Sequence, residues 1–300
     1  MRLPGILLGF AAAAIAFSAA PAARAQLNRT AVSVLCNDVN NCSPATPCRS
    51  FARAVTHTNP GGEVVALDSA GYGPFTVDRS ITVEAAPGVY AGVTQTAGNA
   101  VQISAGVSDK VVLRGLVING MGTASAGIAF TGGGAETHVE NCVITGFVDW
   151  GIISFLPIRV QDTIVRESGI GIHIDNAGAP VNATLERVQL QNNATFGVFS
   201  WRNARVAVRD SVAALNGTGF RASDGGVLNL ENSLATENGT GVTATTYFSG
   251  GGTVRMSNTM TVNNGTGVEV GTGTVESWVN NRIRGNTTNL SGALTNVLPL

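Results

Sequence analysis

Charge is what this 300-residue sequence has least of. Asp, Glu, Lys and Arg make up 12% of it and nearly cancel to a net −1, and Lys110 is the only lysine. So few cations cannot line a phosphate backbone, so nucleic acid is not expected as a partner. Nor do they leave a basic amphipathic helix for a membrane surface. After residue 25 no stretch approaches the roughly 20 apolar residues of a membrane span. The four cysteines match no zinc spacing, and His57, His138 and His173 are scattered, so no metal site and no cofactor are expected. The sequence also lacks an Asp-Asp pair and a Gly-Gly-x-Gly-x-Asp calcium repeat.

What the sequence does hold is repetition. From Val111 to about Asn286 one unit recurs. In its clearest copies Val208–Arg209–Asp210–Ser211 is followed by Asn216–Gly217–Thr218–Gly219–Phe220, and Leu230–Glu231–Asn232–Ser233 by Asn238–Gly239–Thr240–Gly241–Val242. A third joins Met256–Ser257–Asn258–Thr259 to Asn264–Gly265–Thr266–Gly267–Val268. Anchoring each copy on the residue after its first apolar run gives Gly115, Asn141, Asp162, Arg187, Asp210, Asn232, Asn258 and Asn280. Their spacings are 26, 21, 25, 23, 22, 26 and 22. The glycines that restart the next run keep the same step: Gly127, Gly151, Gly171, Gly197, Gly219, Gly241 and Gly267. A period of this size marks a solenoid. No unit contains ten residues of helical period, and leucine-rich spacing is missing, which leaves a β-coil of about three short strands per turn.

The columns of this repeat have clear characters. Two residues before the anchor stand Leu113, Val139, Val160, Leu185, Val208, Leu230, Met256 and Trp278, an inward apolar ladder. After the restart glycines stand Ile128, Ile152, Ile172, Val198, Phe220, Val242 and Val268, a second ladder. The residue just before the anchor is polar throughout, as an outward position of a period-two strand should be. Its alternating Arg114, Glu140, Glu186, Arg209 and Glu231 read as cross-strand ion pairs. Asn193, Asn216, Asn238, Asn264 and Asn286 lie six after their anchors, where stacked amides can bond to one another. The Asn-Gly-Thr copies are read as turns rather than glycosylation sites.

These copies resemble bacterial right-handed parallel β-helix repeat proteins of the pectin-lyase-like class. The opening Cys42–Ser43–Pro44–Ala45–Thr46–Pro47–Cys48–Arg49–Ser50–Phe51–Ala52, with Gly61–Gly62–Glu63 and Gly71–Tyr72–Gly73, is similar to a secreted subgroup of them. The resemblance covers nearly all of the chain after residue 25. It implies an all-β right-handed parallel β-helix, or solenoid, of about nine to ten coils with a short N-terminal capping helix. The class contains lyases, hydrolases, epimerases, binding proteins and adhesins, so it fixes no activity.

In chain order, residues 1–25 read as a signal peptide cleaved after Ala25, which implies a secreted or periplasmic bacterial protein. Residues 26–62 form an N-terminal segment and residues 63–300 the β-helix, with a tail from Gly285 onward covering the last coil. Cys42 is expected to pair with Cys48, with Cys36–Cys48 as the alternative; Cys142 is a small buried filler. Ser50 caps a short helix over 51–57, whose apolar Phe51, Ala54 and Val55 close the open end of the stack. Glycine-rich stretches at 132–134, 177–180 and 250–252 are loops.

Stacking also selects a candidate surface. Two and four residues after their glycines, His173, Phe199, Arg221, Phe155, Asp175 and Trp201 fall on neighbouring coils, with Trp150 beside them. Rings can stack on sugar faces, while Asp and Arg bond hydroxyls or carboxylates. Trp201, Phe155, Phe199, Trp150 and Asp175 are therefore the expected ligand-binding residues. The leading function is a non-catalytic polysaccharide- or surface-recognition module. In the alternative, a polysaccharide lyase or glycoside hydrolase, Asp175, His173 and Arg221 would carry the chemistry. A third reading is a structural or adhesive surface protein. It rests on the column two after the anchor, Val117, Val143, Ile164, Gln189, Val212, Leu234, Met260 and Arg282, as an exposed apolar ridge. A change of parity at the corner, which is the expectation, would put that column in the core.

Overall fold

A computed structural model describes residues 26–132, 134 and 136–298. Residues 1–25, read from the sequence as a signal peptide, lie outside the described residues. The chain is an all-β right-handed parallel β-helix of about ten coils. Its coils build three faces. Strands such as Lys110–Arg114, Glu136–Glu140 and Val227–Glu231 end at the anchors and make the anchor face. Ten strands from Ala70–Gly71 to Arg282–Ile283 make a short face. Strands such as Trp150–Ser154 and Thr218–Ser223 make the glycine face. Two long strands, Ile170–Glu186 and Phe196–Arg209, run from the glycine face into the anchor face and join the two into one twenty-stranded sheet. Residues 177–180 are an exposed bulge within the first of these rather than a break in it.

Two left-handed corners per coil explain the repeat. The anchors Asn141, Asp162, Arg187, Asp210, Asn232 and Asn258 have φ of 46° to 53°. Glu167, Asn192, Leu215, Glu237 and Asn263, at the next corner, have φ of 53° to 60°. Asn and Asp tolerate this region best, which accounts for their dominance at the anchor. The buried asparagine ladder follows the second corner. Asn193 Nδ2 donates to Asn216 Oδ1 at 2.9 Å, Asn216 to Asn238 at 3.0 Å, Asn238 to Asn264 at 3.0 Å and Asn264 to Asn286 at 2.9 Å. The restart glycines stack backbone against backbone: a Cβ on Gly197 would lie 2.5 Å from the Gly219 carbonyl oxygen, and one on Gly219 2.7 Å from that of Gly241.

Both apolar ladders are buried from Leu113 to Met256 and from Ile128 to Val268. Trp278 departs from the expected ladder. Ser277 pairs with Met256 and points inward, so Trp278 turns partly outward. The short face also reverses an expectation. Its core residues are Ile118, Ile144, Val165, Leu190, Ala213 and Ala235. Strand alternation therefore points Val143, Ile164, Val212, Leu234 and Met260 outward, half-buried, as a ridge and not as core.

At the N-terminus, helix Phe51–His57 packs Phe51 against Tyr72 and Phe75, with ring centroids 5.1 and 5.3 Å apart. Ser50 Oγ caps it by accepting from the Arg53 N–H at 3.2 Å. The β-helix begins earlier than residue 63, because strand Leu27–Val32 already pairs in parallel with Thr58–Ala66. A disulfide joins Cys42 and Cys48; Cys36 is free, and Cys142 is buried with its thiol pushed up to about 11 by desolvation. At the other end the tail forms the last coil instead of covering it. Thr288–Ser291 and Thr295–Val297 continue the glycine and anchor faces.

Candidate functional site

Strand alternation builds the site. In Phe196–Arg209, Val198 and Ser200 face the core, so Phe199 and Trp201 face out. Parallel register places His173 beside Phe199 and Asp175 beside Trp201, then Phe199 beside Arg221. The His173 ring stacks on Phe199 at 4.9 Å and on Trp201 at 5.7 Å, with Trp150 tilted at 6.4 Å. The Arg221 guanidinium lies 4.8 Å from the Phe196 ring, 5.6 Å from Phe199 and 5.3 Å from Tyr247. Tyr247 and Phe248 come from the loop after Thr240–Thr245 and pack on Trp201, with centroids 5.9 and 5.6 Å from it. Asp224 holds that loop. Its carboxylate accepts from the Tyr247, Phe248 and Ser249 amides at 2.8, 2.9 and 3.0 Å and from Trp201 Nε1 at 2.5 Å.

The charges are mostly committed within the protein. Asp175 is buried and takes both guanidinium arms of Arg202. Arg202 also lies over the Trp201 indole, 4.2 Å from its centroid. Burial would raise the Asp224 carboxyl, but the Trp201 N–H and the three amides outweigh it and hold the group below its usual range. Burial pushes His173 down to about 4 against the pull of Asp175. Among the described residues neither ring nitrogen of His173 has a hydrogen-bond partner. Arg221 differs from the other cation: its Nε donates to Ser223 Oγ at 3.0 Å, and among the described residues no carboxylate forms an ion pair with it. Desolvation disfavours its charge.

The structure thus brings together Trp150, His173, Asp175, Phe199, Trp201 and Arg221. Phe155 stands apart: its ring meets none of these and lines a separate cleft of about 380 Å³ with Phe130, Thr131, Leu156 and Asn176. His173 and Phe199 lie beneath the surface, 5% and 3% exposed, whereas Tyr247 and Phe248 are 52% and 73% exposed. Sequence reasoning passed over Arg202, Tyr247 and Phe248. Two adjacent aromatics in an otherwise polar loop were the available signal.

Two other surfaces compare less well. The anchor face carries the alternating charges as ion pairs, with Arg114 bridging Glu84 and Glu140 at 2.9 Å each and Arg209 meeting Glu186 at 2.9 Å. There His138 lies between Glu136 at 2.9 Å and Glu140 at 3.7 Å. The short face carries a groove of about 500 Å³ along Val212, Leu234 and Met260, walled by Asp210, Asn232 and Asn258. Among the described residues no group of three or more His, Cys, Asp or Glu is placed to hold a metal ion.

Neither a family model nor a curated protein sequence matches the chain. Solved structures do. An alginate lyase from Paenibacillus sp. str. FPU-7 superposes with a TM-score of 0.63 at 14% identity, over 82% of this chain and 96% of that one. Pectate lyase Pel9A gives 0.55 at 17% identity, over 91% and 78%. The full-length tailspike protein 2 of Escherichia coli O157:H7 bacteriophage CAB120 gives 0.55 at 12%, over 76% of this chain and 35% of the tailspike. At these identities the likeness establishes the fold alone, a right-handed parallel β-helix.

Proposed function

We propose that this chain is a secreted, non-catalytic module that recognises an acidic polysaccharide on its glycine face. One observation carries the reading. Three accessible rings, Trp201, Tyr247 and Phe248, form a platform beside Arg202 and Arg221, while the neighbouring carboxylates of Asp175 and Asp224 are occupied internally. Rings of this kind stack on sugar faces, and an unpaired guanidinium favours a carboxylate. The alginate and pectate lyases that share the fold act on polysaccharides, which supports a glycan as partner. The disulfide fits export, and no helix of the described residues is long and apolar enough to cross a membrane.

Likeness to two lyases favours a second reading, cleavage of the polymer using Asp175, His173 and Arg221. The geometry lends it less support, because Asp175 is bound to Arg202 and the His173 nitrogens are buried. The test uses residues 26–300 against acidic and neutral polysaccharides, with affinity electrophoresis for retention and mass spectrometry for products. Retention by an acidic polymer without products is expected. Shortened or unsaturated oligosaccharides would overturn the non-catalytic reading.

A further inference from the structure

The glycine face sorts its charges along the stack. Parallel register sets Phe199, Arg221, Thr243 and Glu269 side by side on successive coils. Coils lie about 4.8 Å apart, so Glu269 stands two coils, about 10 Å, beyond Arg221. It is exposed and accepts from the Thr243 hydroxyl at 3.2 Å. In the other direction Trp150, Ile170 and Phe196 are successive neighbours, and Phe196 adjoins Thr218 on the coil of Arg221. Asp149, the exposed residue before Trp150, thus lies three coils, about 15 Å, to the other side. Its carboxylate accepts from Ser125 Oγ at 2.6 Å. Among the described residues neither Asp149 nor Glu269 forms an ion pair.

Between these two carboxylates lies one uncommitted guanidinium. The rings of Phe196, Phe199 and Tyr247 hold Arg221, and its Nε is bound to Ser223. That leaves the two terminal nitrogens as a planar pair, a shape that a carboxylate matches with two parallel hydrogen bonds. Arg202, the neighbouring cation, is neutralised by Asp175. Along the stack the face therefore presents an anion, a row of rings, one available cation and a second anion.

We infer that this face selects polysaccharides in which single uronic-acid residues are set among neutral sugars, and rejects polyuronates charged at every sugar. The inference rests on the platform reading above and adds to it the spacing of charge. A polymer laid along the stack finds a partner for one carboxylate at Arg221. Carboxylates on the sugars to either side come up against Glu269 and Asp149, where like charge opposes them. Neutral sugars meet Trp201, Tyr247 and Phe248 and stack on them at no electrostatic cost. Like-charge repulsion of this kind separates ligands that share the same attractive contacts.

Affinity electrophoresis of residues 26–300 tests it with homogalacturonan and alginate, each fully charged, with most carboxyls esterified, and with all carboxyls reduced. For a backbone that is retained, the mostly esterified form is expected to bind about tenfold more tightly than either of the other two. Arg221→Gln should erase the gap between the esterified and reduced forms. Glu269→Gln, at an exposed position, should raise affinity for the fully charged form about threefold. A fully charged polymer bound as tightly as its esterified form, or unmoved by Glu269→Gln, overturns the inference and leaves the platform reading standing. So does a reduced polymer bound as tightly as the esterified one. Retention of no polymer, acidic or neutral, overturns the platform reading and the inference with it.

Discussion

Arg202 lies over the indole of the residue before it, Trp201, 4.2 Å from its centroid, while its guanidinium binds Asp175 on the preceding coil. A left-handed backbone at Arg202, φ 52°, makes this double contact possible. The corner turns the side chain back over the glycine face instead of into solvent. One cation thereby neutralises a buried carboxylate and stiffens the ring that the proposed ligand would meet.

The two halves of that pair are unequal. Asp175 is 1% exposed, whereas the Arg202 side chain is 37% exposed. Removing the arginine strands a buried charge; removing the charge leaves an arginine that water can reach. Arg202→Gln is expected to cost about 3 kcal/mol and Asp175→Asn about 1 kcal/mol. Urea denaturation of both variants checks the order, and a larger loss for Asp175→Asn would contradict it.

His173 gives the protein an acid sensitivity with a definite sign. Its ordinary value of 6.5 falls to about 4 in the fold. Between those two values the unfolded chain binds the proton and the folded one resists it. Stability therefore falls as pH drops from 6.5 to 4 and is flat with respect to this group above 6.5. The span corresponds to roughly 3 kcal/mol. Arg202 opposes protonation and Asp175 favours it. His173→Phe should keep the ring stack and flatten the stability profile over that window. An unchanged slope would show that the ring is more hydrated than its surroundings indicate.

Trp201 and Phe248 separate recognition from folding. Phe248 is 73% exposed, so Phe248→Ala should leave the melting temperature unaltered. If the platform stacks on sugar, Phe248→Ala and Trp201→Ala each weaken retention by an acidic polysaccharide about tenfold. Added salt should weaken it further through screening of Arg221. Retention indifferent to all three would move the site away from this face.

How far the sequence foretold this arrangement depended on the range of each interaction. Columns that repeat every coil were legible, because stacking makes each neighbour say the same thing. The two buried ladders, the asparagine stack, the Ser50-capped helix and the Cys42–Cys48 bridge all lay in local pattern. What escaped lay between coils or at corners. The Asp175–Arg202 bond joins residues 27 apart through a left-handed corner that period alone does not mark as pointing back. Tyr247 reaches Trp201 only because Asp224 folds its loop over. Strand Leu27–Val32 pairs across an intervening helix, outside the repeat. Trp278 lost its ladder place to a one-residue register change. The short-face ridge was misjudged because its parity turns on a single corner residue.

The asparagine stack should be weakest where it meets water. Asn238 Nδ2 donates to Ala213 O and Asn264 Oδ1, while its Oδ1 accepts from both the backbone and the side chain of Asn216. Asn238→Ala leaves several of these groups buried and unpaired, at a cost of about 3 kcal/mol. Asn286, near the end of the described coils, is only half-buried, and Asn286→Ala should cost about 1 kcal/mol. Thermal or urea denaturation distinguishes the two. Equal losses would mean that the amides contribute through the turn geometry rather than through burial of the ladder.

The disulfide has a local task by the same reasoning. It closes a separation of six residues, so its effect on the unfolded chain is small, about 2 kcal/mol. Its position matters more, because it fixes the segment that occupies the outer edge of Leu27–Val32. Replacing Cys42 and Cys48 by serine should speed amide exchange at Ala31 and Ser33 while the Asn216 and Asn238 amides stay protected. Unchanged exchange at Ala31 would show that helix Phe51–His57 alone holds the edge closed, and that the disulfide contributes only chain entropy.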